Sequence, residues 1–174
     1  MMTIPRTLYW LAIWLLSPSR GAVLLKCVFI GIVLKLLSIV LVIPFLFTTL
    51  PTYDPTAPFS PDSVIYVTSV GNAYAVLVAP LLETIAMALV FGLLGSVFRL
   101  PLLLPGAVIV VGAVLLHHDD LVTQTVIAFV FAAFSIQYAL FRTHFSASTT
   151  ILGVATTHAT INALGILVSR ALLS

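Results

Sequence analysis

Four polar side chains sit where a strongly apolar sequence should hold none. APLLETIAMALVF (residues 79–91) carries a single charge, Glu83, and STTILGVATTHATINALGILV (148–168) carries His158 and Asn162 one helical turn apart on one face. LLHHDD (115–120) adds His117 and His118, which are about 100° apart on a helix, so only one of them can point inward. A carboxylate beside an imidazole can take a proton from water and make it nucleophilic. An imidazole and a carboxamide NH2 can stabilise the oxyanion that forms when the water attacks a carbonyl. A Glu, two His and an Asn therefore divide the labour of peptide hydrolysis.

Those residues need elements to hold them, and the composition says which kind. The chain has 174 residues, 61% of them hydrophobic and 7% charged, with a mean hydropathy of +1.26. Soluble domains carry about a quarter charged residues. The expected fold is all-α: a polytopic membrane helix bundle of about five transmembrane helices and an N-terminal interfacial helix, forming a single integral membrane domain over 1–174. Apolar runs bounded by Pro, Asp and Arg place the spans at roughly 23–49, 73–98, 102–117, 121–141 and 146–170, the third being the shortest. Residues 7–17, with Tyr9, Trp10 and Trp14, read as the interfacial helix rather than a cleaved signal. Residues 51–63, with four prolines, read as a loop, and 64–72 as a short surface helix.

Arg6, Arg20, Lys26, Arg99 and Arg142 fall on one side of such a bundle, and Asp54, Asp62, Asp119 and Asp120 on the other. The excess of Lys and Arg in cytoplasmic loops places the N-terminus inside and the C-terminus outside, with Arg170 the one dissenter. Lys35, inside the first span, is expected to snorkel toward the headgroups at the cytoplasmic end. The formal charge of +2, with no Lys/Arg run, speaks against nucleic acid as a partner. The single cysteine, Cys27, has no partner in the chain for a disulfide and reads as packing.

Depth links the motifs. Glu83 lies about 15 Å from the outer boundary of its span and His158 about 18 Å from the cytoplasmic end of its own, so the two meet near the bilayer middle. A carboxylate there costs several kcal/mol unless partnered. Gly153, Ala155, Ala159, Ala163 and Gly165 make the last span suited to close packing inside the bundle. There is no HExxH, no GxSxG, no His paired with Cys at a recognisable spacing and no phosphate-cradling glycine loop. A zinc site built from Glu83 and two histidines ranks below metal-free chemistry, so no cofactor is expected. A proton or ion pathway through Glu83 and His158 is a further reading; five spans without an inverted repeat count against it.

Pro80-Leu81-Leu82-Glu83, then His117 or His118, then His158-Ala159-Thr160-Ile161-Asn162 resembles, in order and spacing over about residues 73–170, the motifs of the glutamic-type intramembrane proteases related to the CAAX prenyl endopeptidase, the CPBP or Abi family. The resemblance implies that Glu83 and the His of the third span activate water while His158 and Asn162 hold the oxyanion. The expected activity is that of an intramembrane endopeptidase in a bacterial or archaeal cytoplasmic membrane, cleaving a membrane-embedded or membrane-adjacent peptide. The chain departs from the family pattern at Thr84 (usually Glu), Met87 (Phe), Ala88 (Arg) and Ala113 or Val114 (Phe). Those departures also fit an inactive relative that binds a peptide, as a bacteriocin-immunity protein would.

Overall fold

The structure, a computed structural model, describes residues 20–49, 72–101, 103–117 and 121–173. The interfacial segment 7–17, the loop 51–63, residues 64–71, and His118, Asp119 and Asp120 lie outside the described residues. Among the described residues five helical stretches make up the bundle: α1 (Arg20–Thr49), α2 (Ala79–Val90) with π-helical turns before it (Tyr74–Val78) and after it (Phe91–Val97), α3 (Leu103–Leu116), α4 (Leu121–His144) and α5 (Ala147–Leu173). No strand occurs among the described residues. In hydrocarbon every backbone N–H and C=O must be satisfied within the protein, and an apolar helix does so within its own segment.

Four of these stretches are long and apolar enough to cross a membrane: Ala22–Leu41, Tyr74–Gly95, Leu121–His144 and Ala147–Val168. The protein is an integral membrane helix bundle. The fifth, α3, has 14 residues. At 1.5 Å per residue it spans about 21 Å, short of a hydrocarbon core of about 30 Å. Its start is fixed by the chain reversal before it. Arg99 adopts a left-handed conformation (φ 54°), and the N–H groups of Phe98 and Leu100 reach back to the carbonyls of Leu93 (3.2 Å) and Leu94 (3.0 Å). Pro105 sits in the first turn of α3, where its missing N–H has no helical acceptor to lose.

The core is built around α5. Met87, Phe91, Ile109, Val130, Phe134, Tyr138, Val154 and Ile161 form one buried apolar cluster drawn from α2 to α5, with Phe91 stacked on Tyr138 at 4.9 Å. α1 and α5 run in parallel, close together, because small residues face each other. A Cβ on Gly31 would lie 2.7 Å from Thr160 Cβ and 2.8 Å from the Thr157 carbonyl, and one on Gly153 would lie 3.1 Å from Cys27 Sγ. Polar bonds lock this seam: Gln137 Nε2 donates to Thr157 Oγ1 (2.9 Å), which donates to the Cys27 carbonyl (3.1 Å). Cys27 is fully buried, in keeping with a packing role.

Lys35 departs from the expectation of snorkelling toward the N-terminal end of α1. Its ammonium lies beside Gly165, where a Cβ would be 3.4 Å from Nζ. Gly165 is about 27 Å along α5 from Ala147, so the side chain extends toward the far end of the parallel helix, into room made by the glycine.

Candidate functional site

Glu83 sits one turn after Pro80, and the backbone before it is shaped by that proline. Across Tyr74–Val78 the helix opens into a π-turn, in which the Ala79 N–H bonds the Tyr74 carbonyl five residues back. The next bond in this register would run from residue 80 to the Ala75 carbonyl, and proline has no N–H to give. Asn162 supplies the missing donor, its Nδ2 lying 2.8 Å from the Ala75 oxygen. The Pro80 carbonyl is taken in turn by Thr84 Oγ1 at 2.6 Å. Three side chains, Pro80, Thr84 and Asn162, thus fix the phase with which Glu83 leaves its helix.

That phase brings Glu83 to α5. Glu83 Oε2 lies 3.6 Å from His158 Nδ1. The separation is within ion-pair range and longer than an N–H···O hydrogen bond of about 2.7–3.2 Å. The histidine side chain is 9% exposed and the glutamate 35%, so the pair has one enclosed member and one open to the surroundings of the bundle. Two aromatic rings of α4 wall His158: Phe134 at a centroid distance of 4.7 Å, and Phe131 edge-on at 5.8 Å.

His117, at the end of α3, meets the same wall, its ring 6.4 Å from that of Phe131. Its Nδ1 lies 2.8 Å from the Ala113 carbonyl. A carbonyl only accepts, so Nδ1 carries the hydrogen, and in the neutral ring Nε2 keeps the lone pair. His117 therefore presents a basic nitrogen on its outer edge.

The structure thus brings Glu83 to His158 and sets His117 against the Phe131 ring that also packs on His158. Asn162 lies one turn beyond His158 as expected, but one of its two amide N–H groups is committed to Ala75. His118 is outside the described residues. Where the resembled motif has a second Glu, Thr84 is 2% exposed and its hydroxyl is satisfied by its own helix; Met87 is buried, and Ala88 packs against the core. Among the described residues no three His, Cys, Asp or Glu side chains converge as metal ligands. Phe131 and Phe134 were not singled out by sequence. Their only signal is a spacing of three residues, which puts both on one face of α4. The chain matches no protein-family model, and comparison with curated proteins and with solved structures finds no similar one.

Proposed function

We propose that the protein is a glutamic-type intramembrane endopeptidase that cleaves a membrane-embedded or membrane-adjacent peptide with water activated by Glu83. The observation that carries this reading is the 3.6 Å approach of Glu83 to His158, two ionisable groups on separate apolar helices, where such residues are costly and mark functional sites. Glu83 accepts a proton from water while the Nε2 lone pair of His117 orients it. The water oxygen bonds to the peptide carbonyl carbon. His158 and the second N–H of Asn162 hold the developing oxyanion. Collapse breaks the C–N bond, and the proton held by Glu83 passes to the departing amine.

The distribution of Arg and Lys favours an N-terminus in the cytoplasm and a substrate approaching from the opposite face. A bacterial or archaeal cytoplasmic membrane suits that arrangement. The test uses protein reconstituted into liposomes made in oxygen-18 water, with a panel of single-span synthetic peptides. The wild type yields fragments whose new carboxylate carries oxygen-18, while Glu83→Gln and His158→Ala yield none. Cleavage that survives either substitution overturns the reading.

A second reading, a peptide-binding relative without activity, draws on Thr84. The buried position that the resembled family fills with a second carboxylate holds a hydroxyl bonded to its own helix. Wild-type protein that captures a panel peptide and leaves it uncut selects that reading.

A further inference from the structure

Away from the Glu83 site, at the end of the bundle where α5 finishes, a cavity of about 380 Å³ opens between α5 and the π-turn before α2. Asn72, Val76, Ala163, Ile166, Leu167 and Arg170 line it. Its volume falls within the range of small-molecule sites, about 300–1,000 Å³. The polar and apolar members are sorted by depth. Arg170 is about 35 Å along α5 from Ala147, beyond a hydrocarbon thickness of about 30 Å and so at headgroup level. Asn72 stands beside it on the antiparallel chain. Val76 is one turn deeper than Asn72, and Ile166 and Ala163 are one and two turns deeper than Arg170. A phosphate-depth cation above an apolar slot has the shape of half a phospholipid.

The charge of Arg170 says which headgroup. Arg170 is exposed and has no carboxylate partner among the described residues, and no acid stands among the described residues of the lining. We propose that this cavity holds one anionic phospholipid whose phosphate bonds the Arg170 guanidinium and whose acyl chain fills the slot between Val76, Ala163 and Ile166. The pairing of guanidinium with phosphate is charge-assisted and bidentate. The site is independent of the chemistry at Glu83: it needs neither a substrate nor an active enzyme.

Native mass spectrometry of the detergent-purified protein, titrated separately with dioleoyl phosphatidylglycerol and dioleoyl phosphatidylcholine, tests it. One phosphatidylglycerol is retained about five- to tenfold more tightly than phosphatidylcholine, as roughly 1 kcal/mol per interfacial Arg implies. Arg170→Gln, at an exposed position, removes that preference. Arg142→Gln, the exposed cation where α4 ends, keeps it. Val76→Trp fills the slot and removes the tightly held lipid of either kind, with circular dichroism confirming its helices. Equal retention of the two lipids by the wild type overturns the assignment, as does an unchanged preference in Arg170→Gln. Displacement of phosphatidylglycerol by a short peptide with a free carboxylate, at matched concentration, would make the cavity a peptide site and equally overturn it.

Discussion

Asn162 of α5 donates its side-chain amide to the backbone carbonyl of Ala75, 2.8 Å away, at the carbonyl that Pro80 cannot reach. The proline, the π-turn and the asparagine therefore form one device. Asn162→Ala orphans that carbonyl and should cost about 0.6–1.7 kcal/mol, the span found for hydrogen bonds between membrane helices. Pro80→Ala restores an N–H in the same register, so in that background Asn162→Ala should cost less than half as much. A double-mutant cycle read from reversible unfolding in mixed micelles checks this; equal costs in the two backgrounds would separate the asparagine from the proline.

The α1/α5 seam depends on absent side chains. Gly31→Ala would put a Cβ 2.7 Å from Thr160 Cβ and force two parallel helices apart, at a cost of about 1–3 kcal/mol. Gly112→Ala meets nothing within 4 Å and should change stability by less than about 0.5 kcal/mol. Thermal unfolding of the two variants tests the contrast, and a comparable loss in both would contradict the packing.

The ring of His117 is held by its own helix through Ala113, which sets its tautomer. Nitrogen-15 spectra of the labelled imidazole in the neutral state should show the hydrogen on Nδ1 and a bare Nε2. A ring protonated at Nε2 instead would remove the lone pair that the proposed mechanism assigns to water.

Apolar runs were enough to place the long spans, because a span needs a minimum length and few charges whatever its neighbours. Counting residues from each end also brought Glu83 and His158 to one depth, since rise per residue is nearly constant in a helix. Contacts between helices were less readable. Nothing in the local pattern says that Pro80 opens a π-turn whose carbonyl Asn162 will take, because the partner lies far along the chain. The aromatic wall of Phe131 and Phe134 is equally silent among so many apolar residues. Lys35 was misjudged for the same reason: the direction of a long side chain depends on where a neighbouring helix leaves room, and Gly165 leaves it.

The central claim is that the polar pair Glu83 and His158 does chemistry rather than packing. Its most direct test is quantitative mapping of peptide termini in membranes of the native host carrying the wild type, Glu83→Gln or His158→Ala at matched abundance. The proposed mechanism expects a defined set of termini, within or beside single-span segments, that is present with the wild type and missing with both variants. Identical termini in all three membranes would contradict it.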